Sequence, residues 1–434
     1  MRNLIEIKFK NKLQIRNNMN SLTASITESY DSNTITSTTD IENIDRAFID
    51  TMQEESIIRM TDSDNSYGIQ LFCYDNCNRL DSERVKQCRG IVFNGDTLIM
   101  KAFPYTEEIR KTDLETFESQ VNLQYCKFYN SYEGMILRMF FFEDKWFIST
   151  HRKLDAFRSK WSSKVSFGEM FIQCLQRELE NNDDFANSVR DTPEDLGILE
   201  RFKLTLDKTK QYMFLLLTNE ETRIVCLNDP NGSGMFHVGT FDSTTGESVE
   251  TDIHVRKPIP LENTFSSLTE VYERAQTTDY TMYQGIIMFA PNNKQYKVLN
   301  SEYEYYFSVR GNEPSIKFRY LQVRNNIEYC KTLRQMYTNM VSSFDSYENY
   351  INVIAKEIYT SYVERFIKKN FITVPQEEYV IVKACHKWHQ EDRKRNIVNL
   401  NRVFSELSNS HPSFINRLIR KRIHKERKCL LQED

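Results

Sequence analysis

The sequence predicts an α+β protein in which an antiparallel β-rich core is followed by an all-helical C-terminal domain. Short runs of β-branched and aromatic residues, separated by turn residues, fill residues 65–328 and are typical of antiparallel strands. After Asn326 the apolar residues recur at helical spacing, for example at Ile351, Ile354 and Ile358. Strands that are followed by helices, rather than alternating with them, indicate the α+β class.

Length and composition exclude several classes of protein. The chain has 434 residues, enough for two or three domains, and its 40% hydrophobic and 27% charged residues are ordinary for a globular protein. The longest apolar run, residues 135–142, contains Arg138 and is too short to cross a bilayer, so we expect no membrane partner. With a formal net charge of −4, nucleic-acid binding would need a local basic patch.

Composition divides the chain into three segments. Residues 1–48 are rich in Ser, Thr and Asn and lack apolar periodicity, so we expect a flexible arm. Both Met1 and Met19 are candidate start residues. Residues 49–328 are predicted to form the β-rich domain, and residues 329–434 the helical domain.

Two hairpins and a capped helix are predicted inside the β-rich domain. The first hairpin turns at Asn94-Gly95-Asp96, because Asn-Gly tolerates the positive φ of a tight turn. The second hairpin joins residues 134–142 to residues 146–150. Ser166 and Glu169 form a capping box, which predicts a helix through residue 180. The other predicted strands are residues 212–217, 222–227, 237–241, 285–289 and 296–299, and the other predicted helices are residues 350–369, 379–395 and 417–428.

The segment Ser131-Tyr132-Glu133-Gly134 carries the most specific chemical signal in the chain. With Arg89-Gly90 before it and Thr150-His151-Arg152 after it, this segment resembles the covalent nucleotidyltransferase superfamily, in particular the phage-type RNA ligases and their relatives in large DNA viruses. The resemblance covers residues 88–300 and implies a nucleotidyltransferase core of the ligase adenylation type. Active members of the family are expected to bind ATP and Mg²⁺, to form a lysine–AMP adduct, and to join a 5′-phosphate to a 3′-hydroxyl.

The chain departs from the family pattern at the nucleophile and at the ribose contact. In the motif Lys-x-(Asp/Glu)-Gly, Ser131 stands at the lysine, while Glu133 and Gly134 are retained. A serine hydroxyl without a base is a far poorer nucleophile than an activated amine. The glutamate that the family uses to hold the ribose falls near Leu216, on the strand before Arg223-Ile224-Val225.

Two further departures concern the metal and the phosphates. The family's metal-placing Glu-Gly motif is Gln284-Gly285 here, and its Lys-x-Lys motif keeps only Lys297, because Leu299 replaces the second lysine. Four losses of charge in one pocket predict a catalytically degenerate protein with no assigned cofactor, and ATP and Mg²⁺ would bind as cofactors only if activity is retained. The resemblance makes the following residues candidate nucleotide contacts: Glu133, Gly134, Arg138, Arg152, Arg223, Gln284 and Lys297.

Two lysines are candidates for a displaced nucleophile. Lys127 precedes Ser131 by four residues, and Lys153 follows the Thr-His-Arg segment. The simpler interpretation is that both are solvated or salt-bridged surface lysines, as most lysines are. His386 and His389 do not complete a zinc motif, because no second pair of ligands is suitably spaced, so no metal site is predicted.

The densest basic cluster in the chain lies near its C-terminus. Seven cations between Arg417 and Lys428 face a single carboxylate, Glu426. A solvated helix face is the ordinary interpretation of such a run, and the alternative is a contact with the RNA backbone. The candidate RNA-binding residues are Arg417, Arg420, Lys421, Arg422 and Lys425.

These observations predict an RNA ligase-like protein without catalysis, which binds nucleic acid or nucleotide or acts as a scaffold in viral RNA processing or in the virion. RNA and viral proteins are the expected partners. Nine irregularly spaced cysteines and the lack of a signal peptide indicate the cytoplasm, which for a virus means the host cytoplasm, a viral factory or the virion. The alternatives are an active ATP-dependent RNA ligase with a relocated lysine and a purely structural partner protein.

Overall fold

The computed structural model describes residues 44–101, 103–219, 222–227, 234–262 and 265–430. Most of the predicted arm, residues 1–48, lies outside this part of the chain, although the first described helix already begins at Arg46. The described strands are β1 (Ile58–Asp64), β2 (Ile69–Tyr74), β3 (Arg89–Asn94), β4 (Thr97–Met100), β5 (Thr106–Glu108), β6 (Lys127–Ser131), β7 (Gly134–Phe142), β8 (Lys145–Ser149), β9 (Lys210–Leu217), β10 (Met235–Asp242), β11 (Gly285–Phe289) and β12 (Gln295–Leu299).

Helices flank the sheets and then make up the C-terminal part of the described chain. They are α1 (Arg46–Glu54), α2 (Glu83–Gln87), α3 (Leu114–Glu118), α4 (Phe167–Asn181), α5 (Asp183–Ser188), α6 (Ile198–Thr205), α7 (Leu268–Gln276), α8 (Ser301–Arg310), α9 (Ile316–Val323), α10 (Ile327–Met336), α11 (Val341–Tyr362), α12 (Gln376–Glu391), α13 (Leu400–Ser408) and α14 (Pro412–Leu430). None of the described helices is long and apolar enough to span a bilayer.

The first sheet is an antiparallel meander in the order β1-β2-β3-β4. The predicted turn at Asn94-Gly95 joins β3 to β4, and Gly95 adopts a φ of +55°, which is why glycine suits this position. Ile44 and Ile49 pack against Phe72 in the core of this sheet, so core residues of the sheet lie on both sides of the predicted boundary at residue 48.

The second sheet, in the order β10-β9-β7-β8, is also antiparallel and packs against α4, α5 and α6. The predicted hairpin of β7 and β8 is confirmed. The predicted capping box is confirmed as well: Ser166 accepts a hydrogen bond from the backbone of Glu169, whose side chain accepts one from the backbone of Ser166. Phe171 and Phe214 join this helix layer to the sheet.

The third sheet has the order β5-β12-β11-β6, in which only the short edge strand β5 runs parallel to its neighbour. Its apolar face packs against α3 and α7, through residues such as Phe117, Val271 and Met288. The helices from α8 onward build a separate core around Phe344 and Ile358.

The α+β prediction, with an antiparallel β-rich core and a helical C-terminal region, is confirmed. The helices begin at Ser301, earlier than the predicted boundary at residue 329. The predicted strand over residues 222–227 is wrong, because this segment forms a turn and a bend. Its backbone N–H groups bind a carboxylate instead of a neighbouring strand, as described below.

Candidate functional site

A cavity of about 710 Å³ lies between the second and the third sheet. Strands β7, β9 and β10 line it on one side, and β6, β11 and β12 line it on the other. Its lining combines cations, polar groups and aromatic rings, which include Arg89, Phe103, Lys127, Tyr129, Ser131, Tyr132, Gly134, His237, Lys257, Gln284, Phe289 and Lys297. The ligase-like motif positions of β6, β11 and β12 therefore meet at one site.

Three of these motif positions share one hydrogen-bonding centre. The Ser131 hydroxyl donates to Oε1 of Gln284 at 3.1 Å, and the Lys297 ammonium donates to the same oxygen at 2.8 Å. Strand pairing produces this meeting, because β11 hydrogen-bonds to β6 on one side and to β12 on the other. Ser131, which the ligase resemblance places at the lysine position, thus has a hydroxyl that donates to a neutral amide rather than to a base among the described residues.

Lys297 is a partly buried cation of the cavity. Burial lowers the pKa of its ammonium group, Arg89 adds to this effect, and the carboxylate of Glu108 opposes it. Within the described residues, no carboxylate lies within ion-pair distance of Lys297. An anionic ligand would therefore find a partly desolvated cation whose hydrogen-bonding partner is a neutral amide.

Glu133 lies behind the cavity floor and does not line the cavity. Its carboxylate is only 2% exposed and accepts hydrogen bonds from the backbone N–H groups of Ile224 at 2.5 Å and Val225 at 3.0 Å. The hydroxyl of Tyr303 donates to the same carboxylate at 3.2 Å, and Gln284 donates to that hydroxyl at 2.7 Å. The motif glutamate is therefore committed to holding residues 224–226 in place.

The two motif glycines are required by the backbone of the site. A side chain at Gly134 would collide with the carbonyl group of Leu216 on the neighbouring strand. Gly285 has a φ of +137°, and a side chain there would meet the carbonyl of Val298. Close strand packing thus explains both glycines.

The charge of the cavity lining is strongly positive. Arg89, Lys127, Lys257 and Lys297 supply four cations, and Glu250 is the acidic side chain of the lining. Because Glu250 forms an ion pair with Lys127 at 2.8 Å, the other three cations remain for a ligand. The site therefore suits an anion bound beside aromatic rings.

The two lysines proposed as displaced nucleophiles are both held in ion pairs. The Lys127 ammonium bonds to Glu250, which raises its pKa and keeps it protonated. Lys153 lies 3.5 Å from Asp62 and is not part of the cavity lining. Since an amine must lose its proton to attack phosphorus, these surroundings oppose the relocated-lysine hypothesis.

Three arginines predicted to contact the nucleotide do not line the cavity. Arg138 is buried, and its guanidinium group donates to the backbone carbonyls of Gly90 and Thr150. Burial lowers the pKa of Arg138 to about 9. Arg152 is exposed, and Arg223 lies over the ring of Tyr337 at 4.6 Å. The predicted anion contacts of Arg138 and Arg223 are corrected, because both guanidinium groups donate to backbone carbonyls of the chain itself, whereas a nucleotide contact of Arg152 stays a prediction.

The donor set of the site does not fit Mg²⁺. The Glu133 carboxylate is occupied by N–H and O–H donors, and Gln284 supplies a neutral oxygen in place of a second carboxylate. Neither Leu215 nor Leu216 on β9 can bind a metal or a ribose, and it is Leu215 that lines the cavity. In the described part of the chain, no group of three His, Cys, Asp or Glu side chains could hold a metal ion.

Three residues were not predicted from the sequence: two line the cavity, and the third supports Glu133 behind it. Lys257 and His237 come from segments outside the motifs, and Tyr303 lies on α8, one turn after the last strand. The only sequence signal for the first of these is the Arg256-Lys257-Pro258 run, which combines charge with a loop-forming proline. The other two become visible only through the tertiary fold.

The predicted RNA-binding cluster lies on α14, far along the chain from the cavity residues. Arg417, Arg420, Lys421 and Lys425 are exposed, as predicted. Arg422 is the exception, because its guanidinium group forms ion pairs with Glu357 and Glu426. Arg422 is therefore corrected from a candidate RNA contact to a link between α14 and α11.

Fold and site together define an α+β protein in which two mainly antiparallel sheets enclose a cation-lined cavity with ligase-like motif positions on its floor. The chain is 30% identical over 385 residues to an immediate-early protein ICP-46 homolog of Invertebrate iridescent virus 6, and the aligned residues cover 83% of this chain and 82% of that protein. The chain belongs to the ICP-46 protein family. A homolog in Invertebrate iridescent virus 3 is 28% identical over 355 residues, covering 78% and 74% of the two chains.

Another relative is the immediate-early protein ICP-46 of Frog virus 3 (isolate Goorha), which is 28% identical over 246 residues, or 54% of this chain and 58% of that protein. No protein-family model matches the chain. Among solved structures, an archaeal ATP-dependent RNA ligase has a TM-score of 0.33 at 11% identity, covering 68% of this chain and 70% of that one. A Naegleria gruberi RNA ligase with PPi has a TM-score of 0.30 at 11% identity, covering 46% and 59%. TM-scores this low do not establish a shared fold.

Proposed function

We propose that this chain is a viral, RNA ligase-like nucleotidyltransferase relative that binds nucleotide phosphate in its cavity without forming a covalent adduct. The observation that carries the proposal is the shared contact of Ser131 and Lys297 with the Gln284 amide. Three positions that the ligase resemblance makes chemically essential meet there. They retain one anion-binding cation and lack both the lysine nucleophile and the metal-placing carboxylate.

The remaining lining supports binding of a nucleotide rather than of a simple anion. Arg89, Lys257 and Lys297 provide positive charge for phosphate groups. Tyr132 packs against the rings of Phe236 and Tyr283, and this aromatic group is beside the cationic floor. Aromatic surface next to clustered cations is the combination that a base and its phosphates require.

The relatives carry the name immediate-early protein. Applied to this chain, that name favours a role early in infection, such as RNA processing in the host cytoplasm or a viral factory, over a structural role in the virion. RNA is then the expected partner, and other viral proteins are expected to join it in the same assembly.

The test combines a covalent assay with a binding assay on the full chain. Incubation with labelled ATP and Mg²⁺, followed by denaturing electrophoresis, should give no labelled protein. Calorimetric titration with ATP, with chelator present, should still detect binding. Lys297→Met should weaken that binding about tenfold to a hundredfold, because one charge-assisted hydrogen bond contributes about 1.5–3 kcal/mol.

The control is Lys153→Met, which removes the same charge outside the cavity and should leave ATP binding unchanged. A labelled band in the wild type would overturn the non-covalent proposal and favour an active ligase. Its loss in Lys127→Ala, Lys153→Met or Lys297→Met would then identify the relocated nucleophile. Absence of both adduct and binding would favour the purely structural role.

A further inference from the structure

One face of α14 presents a continuous row of basic side chains. Arg417, Arg420, Lys421, Lys425 and Lys428, together with His424, recur at intervals of three and four residues, which places them on the same side of the helix. All six are exposed and line a surface groove with Glu313, Ser315 and Phe318. We call this row the basic face.

Most of the basic face is not neutralised by the protein. Lys421 forms an ion pair with Glu377, and Arg417 lies over the ring of Phe414 at 5.7 Å. For Arg417, Arg420, Lys425 and Lys428, no ion pair with a carboxylate occurs within residues 44–430 as described. The one carboxylate on the groove lining is that of Glu313. Four cations thus remain for an external anion.

The apolar side of α14 is already occupied. Ile415, Leu418 and Ile419 are buried in the helical core formed with α11, α12 and α13. Within residues 412–428, whose side chains are described, α14 has no large hydrophobic side chain among the exposed ones. A membrane surface or an amphipathic peptide would need such a side chain as an anchor, so the basic face offers charge alone.

The length of the basic face matches a polyanion better than a single small ligand. Arg417 and Lys428 are eleven residues apart, so the row extends about 16 Å along the helix axis. A nucleic-acid strand carries one phosphate per about 3.4 Å, so about five phosphates fall within that length. A single nucleotide would neutralise only part of the row.

We propose that the basic face of α14 binds the phosphate backbone of a nucleic acid without reading its sequence. The cations contact phosphate oxygens and release the counterions of the strand, which supplies the binding free energy. This surface is separate from the cavity between the sheets, and its lining shares no residue with that cavity. It therefore does not depend on nucleotide binding there.

The experiment measures fluorescence anisotropy of labelled oligonucleotides with the full chain over a range of salt concentrations. RNA and DNA strands of equal length and of unrelated sequences serve as probes. The test variant is the triple substitution Arg417→Gln, Arg420→Gln and Lys425→Gln. It should weaken binding at least about tenfold at low salt and reduce the slope of log K against log salt by about 2, since each contact with a single strand contributes about 0.7.

The matched control removes three exposed cations from the same helical region by Lys383→Gln, Lys387→Gln and Lys394→Gln. It should retain near wild-type affinity and salt slope. An equal loss in both triple variants would overturn the assignment, and so would absence of binding at low salt. Binding of one sequence alone would overturn the backbone mode, and displacement by polyglutamate as effective as by nucleic acid would favour an acidic protein partner.

A further variant separates this inference from the proposed cavity function. Lys297→Met should leave the oligonucleotide affinity and salt slope of the basic face unchanged, whereas the triple variant of α14 should leave ATP binding unchanged. If Lys297→Met abolishes oligonucleotide binding, the cavity rather than the basic face is the nucleic-acid site.

Discussion

Replacement of Glu133 by alanine is expected to destabilise the fold strongly, although Glu133 belongs to a motif that is catalytic in ligases. The carboxylate accepts hydrogen bonds from the backbone of Ile224 and Val225 at 2.5 and 3.0 Å and from the Tyr303 hydroxyl at 3.2 Å. Alanine would leave these donors buried without an acceptor. Each such donor costs about 1–3 kcal/mol, so with partial relaxation we expect a loss of about 3–5 kcal/mol in the free energy of unfolding.

Urea unfolding followed by circular dichroism measures this loss. Glu133→Gln keeps one acceptor oxygen and should lose less, about 1–3 kcal/mol. Glu250→Ala is the control, because Glu250 is an exposed acid at the cavity whose ion pair with Lys127 should contribute less than about 1 kcal/mol. If Glu133→Ala unfolds at the same urea concentration as the control, the carboxylate is free for a ligand, and its structural assignment is wrong.

The remaining predictions test the site and the pH response. Ser131→Lys alone should give no labelled adduct with ATP and Mg²⁺, because Gln284 still replaces the metal-placing glutamate; a strong adduct would mean that the metal site is intact. Arg138→Lys should lower the free energy of unfolding by about 2–4 kcal/mol while leaving ATP affinity unchanged, since a lysine cannot bridge both backbone carbonyls. Burial lowers the pKa of His237 from the ordinary 6.5 to about 4, so the unfolded chain binds the proton first as the pH falls. The contribution of neutral His237 to the free energy of unfolding is therefore complete above about pH 6.5 and decreases by about 3 kcal/mol towards pH 4. His237→Asn should flatten the plot of unfolding free energy against pH over that range.

Local sequence signals predicted the elements whose structure depends on adjacent residues. Asn94-Gly95 forms the turn of its hairpin because the glycine tolerates positive φ without help from distant residues. The Ser166–Glu169 capping box likewise forms within one turn of helix. The predicted strand at residues 222–227 does not form, although Ile224 and Val225 are β-branched, because their backbone N–H groups donate to the carboxylate of Glu133, which is far away in sequence.

The sequence predicted those residues of the candidate site whose motifs lie on, or next to, strands that pair with or face each other in the fold. Gly134, Gln284 and Lys297 line the cavity together with Ser131, since their strands are neighbours in one sheet or face it across the cavity. Arg138 and Arg223 matched the ligase pattern equally well in sequence, yet the guanidinium groups of both donate hydrogen bonds to backbone carbonyls. Motif spacing alone does not distinguish an arginine that faces a ligand from one that binds backbone carbonyls.

The amino-acid sequence by itself determined the class of fold, the hairpin turns, and the serine rather than lysine at residue 131, because residue type and local spacing decide these properties. Only the tertiary structure decided that Glu133 holds a loop and that Lys297 meets the Gln284 amide. Hydrogen bonds and desolvation depend on which distant segments come within about 3 Å, and that proximity arises only when distant strands pair and loops pack against them.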